Sequence, residues 1–293
     1  MTLTSRHLRF NLIFLFIASV WLSSVSAALD QEPAGLTDEI MLHPLDGFTA
    51  YTLKKNEFIY NQSPLTLPLP SWAWWGITDS ITAEIDLLPL VGGFLQEPYL
   101  PVPSFNFRFK LQDGEIGGRP ALAYETMVQY LYTEQEQADT DHLLIRRKGA
   151  SWYNRLNASF QLRRDFHIHL SSGVTYAHDI LVTNRNRSQL KIRHRKGQIS
   201  PDASISFDYR VSPGLSLHAT ASYGTTFVYW DNIPRKYQLA YGFRIAPFLR
   251  SKHAFFRNSR AEFTAIQAYF ADADERDGIW IPILPYVYWQ WGG

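Results

Sequence analysis

The sequence predicts an all-β fold: an antiparallel up-and-down transmembrane β-barrel of about twelve strands, with ten or fourteen as the alternative counts. Three observations predict it. The first is side-chain parity, clearest in residues 150–178. Trp152, Leu156, Ala158, Phe160 and Leu162 fall on one face of an extended run, and Ser151, Tyr153, Arg155, Asn157, Ser159 and Gln161 on the other. After a break at Arg163, Arg164 and Asp165, Phe166, Ile168, Leu170, Val174 and Tyr176 oppose His167, His169, Ser171, Gly173 and Thr175. Side chains of a strand alternate between faces, so each run has one oily and one wet side, and the short break makes a hairpin. The second observation is that short and long connections alternate, as periplasmic turns and outer loops do in bacterial barrels. The third is the aromatic load of 9 Trp, 16 Tyr and 19 Phe, which suits girdles at two lipid–water interfaces.

In chain order, residues 1–27 read as a signal peptide. Arg6, His7 and Arg9 precede an apolar run that ends at Val25, Ser26 and Ala27, the layout of a cleaved leader. Residues 28–56 show little pattern and are expected to form a periplasmic N-terminal segment. Residues 57–293 are expected to form the barrel. Its first runs centre on Phe58 and Tyr60, on residues 71–77, and on Ile81, Ala83, Ile85 and Leu87. Pro64, Pro68 and Pro70 place a loop between the first two, because proline cannot donate to a ladder. Phe105, Phe107, Phe109 and Leu111 then alternate with Ser104, Asn106, Arg108 and Lys110. A run over residues 121–132 leads to a polar loop at 133–149, the central hairpin, and a second long loop at about 180–200. Ala203, Ile205, Phe207, Tyr209 and Val211 begin the second half, and Leu215, Leu217, Ala219 and Ala221 follow a turn at Ser212, Pro213 and Gly214. Residues 237–245, 260–271 and 279–291 complete the series. Pro282 and Pro285 are expected at the outer rim or a bulge, since a closed ring offers no free edge. A secreted β-sandwich would point the oily faces inward, but its strands are commonly only about five or six residues long.

The chain resembles the bacterial outer-membrane β-barrel proteins as a broad class. The run Gly76, Ile77, Thr78, Asp79 is similar to a turn common among them. Val287, Trp289 and Trp291 resemble the aromatic end signal read by the barrel assembly machinery, although this chain finishes in Gly292 and Gly293. The resemblance implies the bacterial outer membrane as location and the assembly machinery as a partner. It names no solute and no oligomeric state.

Composition narrows the chemistry. The chain has no cysteine, which excludes disulfides, thiolate metal sites and a cysteine nucleophile. A net charge of +1 gives no support for nucleic-acid binding. No cofactor is implied. With the oily face toward lipid, the wet face carries Glu84, Asp86, Arg108, Lys110, Glu125, Arg155, His167, His169, Asp208, Arg210, His218, Arg244 and Glu262. These are the expected lumen-lining groups. Glu84 and Arg108 are expected to neighbour each other. Opposed charged walls of this kind orient a polar solute in a passage. His167, His169, Asp208 and His218 invite a metal reading on residue type, but the spacing assigns no metal site. His169 with Ser171, and His178 with Asp179, invite a phospholipase-like reading. No nucleophile–base pair is evident from spacing, so no catalytic residue is assigned. The function expected is a passive channel or uptake protein for a small solute. The alternatives are a lipid hydrolase and a structural or surface-binding barrel.

The loop at 180–200 carries Arg185, Arg187, Lys191, Arg193, Arg195 and Lys196. In the predicted topology it faces lipopolysaccharide, whose phosphates suit guanidinium forks. Neutralising Arg185, Arg187, Arg193 and Arg195 together should weaken lipopolysaccharide association while the barrel still assembles. The difference should shrink at high ionic strength. Binding titrations at low and high salt check it.

Overall fold

The computed structural model describes residues 48–62, 72–86, 104–137, 143–178, 181–186, 189–194, 198–224, 235–270 and 278–291. Its strands are β1 (Phe58–Gln62), β2 (Trp72–Thr78), β3 (Ile81–Asp86), β4 (Ser104–Gln112), β5 (Ala121–Gln137), β6 (Leu143–Arg163) and β7 (Phe166–His178). They continue as β8 (Leu181–Asn186), β9 (Gln189–His194), β10 (Gln198–Ser212), β11 (Leu215–Tyr223), β12 (Arg235–Ile245), β13 (Ser259–Phe270) and β14 (Gly278–Trp291). A single helical turn, α1 (Ala254–Arg257), lies between β12 and β13.

All pairings are antiparallel. β1 pairs with both β2 and β14, and β5 pairs with both β4 and β6, so the sheet closes on itself. Twelve strands form the ring; β8 and β9 make an additional hairpin that touches β6 at Arg146↔Thr183. Closure pairs the backbone groups that an open edge would leave bare, which hydrocarbon does not tolerate.

The wall is inside-out relative to a soluble protein. On β4, Ser104, Asn106 and Arg108 are buried while Phe105 and Phe107 are exposed. On β10, Asp202, Ser204 and Ser206 are buried while Ile205, Phe207 and Tyr209 are exposed. Trp75, Leu156, Leu170, Val174, Leu217, Leu239 and Tyr241 extend the outward apolar surface. This is the surface that a bilayer covers.

Four of the connections at one rim are turns preceded by an irregularity in the incoming strand: between Gly76 and Thr78, Lys110 and Gln112, Gln161 and Arg163, and Arg210 and Ser212. Bulges of this kind sharpen local twist and gather at barrel rims. Of the two β14 prolines, Pro282 is accommodated by a bulge, while Pro285 stays in register opposite Phe263. Thr264 faces Leu284 and Ile266 faces Ile281, so Pro282 and Ile283 oppose a single residue.

Two sequence expectations change. Residues 133–149 are not simply a polar loop, since β5 and β6 run on to Gln137 and from Leu143, with Glu134 opposite Arg146. Within 180–200, β8 and β9 pair in a hairpin that holds Arg185, Lys191 and Arg193; Arg187, Arg195 and Lys196 lie outside the described residues. The end of β5, residues 133–137, is polar on both faces and the start of β6, Leu143, Leu144 and Ile145, is apolar on both, so alternation gives no signal at either.

Charge on the outer face should block assembly. Leu156 is 61% exposed and Phe207 38%. Leu156→Arg or Phe207→Arg should cost about 2 to 4 kcal/mol at mid-bilayer, while Leu156→Ile should be near neutral. Heat-modifiable gel mobility measures the folded fraction, and equal fractions for all three would count against the lipid-facing assignment.

Candidate functional site

The interior of the ring is occupied by the chain's own residues 48–56. Part of the segment expected on the periplasmic side therefore lies within the wall: Phe48, Thr49, Ala50 and Leu53 are buried. The segment enters at the rim of short turns, where Thr52 Oγ1 donates to Asp79 O at 3.0 Å and Asp79 Oδ1 accepts from Lys55 N at 2.8 Å. It is linked to β1 by a tight reversal. Glu57 N donates to Lys54 O, and Asn56 adopts φ 66°, a left-handed conformation that asparagine tolerates better than most residues. The reversal lies flat on β2 at Gly76. A Cβ there would sit 1.9 Å from Lys54 O, so the approach requires glycine.

Deeper in, inward side chains hold the segment's backbone. Thr82 Oγ1 accepts from Leu53 N at 2.8 Å, and Ser159 Oγ accepts from Ala50 N at 2.8 Å. Arg108 donates to Tyr51 O at 3.0 Å, and Tyr51 OH meets His167 Nδ1 at 2.9 Å. Arg155 lies 4.0 Å over the Phe48 ring, in cation–π geometry. Apolar contacts secure both ends. Leu53 packs with Ile59, Trp72, Trp74 and Ile266, and Ala50 with Ala121 and Ala123.

Around the segment the wall forms two ion-paired networks. In the first, Glu125 accepts from Arg108 at 3.3 Å, Asn106 at 2.5 Å and Asn157 at 2.6 Å. Arg155 pairs with Asp202 at 2.9 Å. Strand register explains the second contact: Arg155 is opposite Gly173, and Gly173 is opposite Asp202. Arg155 crosses the intervening strand because Gly173 has no side chain; a Cβ there would lie 2.6 Å from Arg155 Cγ. The second network joins Arg244 to Glu262 at 3.0 Å and to Asp208 at 4.0 Å. Thr264 donates to Glu262 and meets His218 Nε2 at 3.0 Å.

The groups picked from the sequence thus sit as follows. Glu84, Asp86, Arg108, Glu125, Arg155, His167, His169, His218 and Glu262 are buried on the inner face; Lys110, Asp208, Arg210 and Arg244 are partly buried. Glu84 and Arg108 are diagonal neighbours across β3 and β4, close as expected, but each bonds elsewhere. Asn106 stands between them, donating to Glu84 at 2.8 Å, and Arg108 turns to Glu125. The histidines divide their bonds among Tyr51, Ser159 and Thr264. Among the described residues no group of three or more His, Asp or Glu could hold a metal. His169 bonds Ser159 at 2.7 Å, not Ser171. That serine hydroxyl already receives Ala50 N–H, and His169 Nε2 has no hydrogen-bond partner among the described residues. Among the described residues no carboxylate orients the imidazole, and the pair's bonds anchor the segment. Sequence reasoning did not single out Thr82, Ser159 or Asp202 as holding groups; wet-face parity placed Thr82 and Ser159 on the inner side, without showing what they hold.

A cleft of about 60 Å³ opens in the other half of the ring, lined by His167, Asp208, Arg210, Arg244, Arg260 and Tyr288 among others. It has room for a few waters.

No family model matches the chain, and no curated protein matches it. Solved structures similar to it include the Pseudomonas putida toluene transporter TodX, with 13% identity over 75% of this chain and 67% of that chain at a TM-score of 0.40. The translocator domain of the autotransporter NalP from Neisseria meningitidis has 10% identity over 97% and 98% at 0.42. The Ralstonia pickettii toluene transporter TbuX has 10% over 81% and 78% at 0.38. The fold stands on the strand pairing described above.

The Arg155–Asp202 pair gives a direct test of the interior. Both side chains are 1% exposed. Asp202→Ala breaks a buried ion pair and should cost up to about 3 to 5 kcal/mol, with Glu125, opposite Arg155 on β5, offsetting part of the loss. Urea unfolding in micelles, followed by tryptophan fluorescence, measures it.

Proposed function

We propose that the protein is a gated passage for a small polar solute in the bacterial outer membrane, closed here by residues 48–56. The observation that carries this reading is how the segment is held. It forms no strand ladder with the wall beyond its junction with β1; side chains grip its backbone from several strands. Each such bond contributes on the order of 1 kcal/mol net, while ordering each residue costs about 1 to 2 kcal/mol. Opposing terms of similar size suit a plug that can leave. On the β4 to β10 side the wall behind it is polar and internally ion-paired, so that part can face water once uncovered. On this reading Arg185, Arg187, Lys191, Arg193, Arg195 and Lys196 meet lipopolysaccharide, and Val287, Trp289 and Trp291 are read by the assembly machinery.

The chain lacks cysteine, which permits a clean lock. Thr49 Oγ1 and Ser159 Oγ are 3.2 Å apart. The double variant Thr49→Cys, Ser159→Cys should form a disulfide under oxidation. Solute-dependent swelling of vesicles should be slow when oxidised and faster after reduction. Ser159→Arg, which parity alone predicts to alter only the lumen lining, should instead expel the segment and pass solute constitutively. Equal swelling in the oxidised and reduced states, with no flux through Ser159→Arg, would refute the gated passage.

A further inference from the structure

The connection between β12 and β13 differs from the other turns at its rim. Residues 246–258 form an aromatic and basic excursion that ends in α1. Phe248, Phe255 and Phe256 are 51%, 55% and 47% exposed, and no residue of α1 is buried. The rings hold one another: Phe248 and Phe256 centroids are 5.6 Å apart, Phe255 and Phe256 5.5 Å. Phe255 also meets Trp289 of β14 at 5.4 Å. Trp289 contacts Tyr60, and Trp291 stacks on Phe58, so the cluster continues the outward aromatic surface of the seam strands.

The charge is one-sided. Arg250, Lys252, Arg257 and Arg260 lie between Ala246 and Ala261, and no Asp or Glu does. Arg250 and Lys252 are exposed beside the phenylalanines. Arg260 turns inward and donates to the Arg257 and Ser259 carbonyls, which leaves the outer three as the surface charge. An exposed aromatic cluster of this kind marks an interaction surface. Aromatic rings flanked by cations, continuous with a lipid-facing wall, match the boundary between acyl chains and anionic headgroups.

We propose that this turn binds anionic phospholipid in the leaflet on the short-turn side of the membrane. Phe248, Phe255 and Phe256 enter the headgroup boundary, and Arg250, Lys252 and Arg257 engage the phosphate. The proposal rests on the barrel fold and is independent of whether the lumen conducts.

The test uses the full barrel in phosphatidylcholine vesicles containing spin-labelled phosphatidylglycerol or spin-labelled phosphatidylcholine. The protein should immobilise the anionic probe preferentially. In the variant Arg250→Gln, Lys252→Gln, Arg257→Gln that preference should fall by roughly fivefold or more, and salt should reproduce the fall in the unaltered protein. Phe248→Ser, Phe255→Ser, Phe256→Ser should reduce immobilisation of both probes near the turn. These positions are exposed, so both variants should keep heat-modifiable mobility. Unchanged selectivity in the basic-to-glutamine variant would overturn the proposal. So would a slowed assembly-machinery reaction with lipid selectivity intact, because that result makes the turn a protein contact.

Discussion

Closure of the backbone ladder in a medium without water is the constraint on which everything else depends. An unpaired amide in hydrocarbon costs several kcal/mol, so the first and last strands must meet. Here β1 and β14 pair over Phe58↔Trp291 to Gln62↔Val287. The neighbouring β1–β2 pairing is extended by Asn56 N to Gly76 O and Gly76 N to Glu57 O, and Gln290 of β14 donates to Glu57 Oε1. The seam and the reversal leading to the inner segment are therefore one structure. Forming the ring fixes where the segment starts.

The ring also decides how its contents are held. With lipid taking the oily face, the inward face receives the polar residues, and these must satisfy one another or the enclosed chain. The interior divides the work. On the β1, β2 and β14 side, Ile59, Trp72, Trp74 and Tyr286 fill space around Leu53. On the β4 to β10 side, carboxylates and guanidiniums pair across strands and leave donors and acceptors for the segment's backbone. Buried ion pairs bring little net stability over apolar packing. In the proposed gated passage their advantage is that they stay satisfied with water in place of the segment.

The faces of the wall were legible because parity is a local property. Ser104, Asn106 and Arg108 against Phe105 and Phe107 read directly from the sequence and match the burial of β4. Strand ends were less legible, since the far ends of β5 and β6 do not alternate: residues 133–137 are polar on both faces and residues 143–145 apolar on both. The inward Trp72 and Trp74 could not be read as such, because β2 carries tryptophan on both faces and composition does not say which side is dry. Least legible was the enclosed segment. It is held by groups up to 116 residues away, as in Tyr51 with His167, and such contacts leave no period in the chain. Arg155 with Asp202 depends likewise on Gly173 lying between them in the sheet, a register that no local pattern reveals.

The lengths of β5 and β6 give the ring an uneven height. β6 has 21 residues, roughly 70 Å at the usual rise per residue. Tilted by about 40°, it spans roughly 50 Å along the membrane normal, against about 30 Å of hydrocarbon. About 20 Å of pleated sheet therefore stands clear of the bilayer on that flank, and β8 and β9 pair onto it. A molecule arriving from that side meets a fixed, strand-spaced ledge on one flank before it reaches the mouth. Its approach is restricted in orientation well before any lumen group touches it.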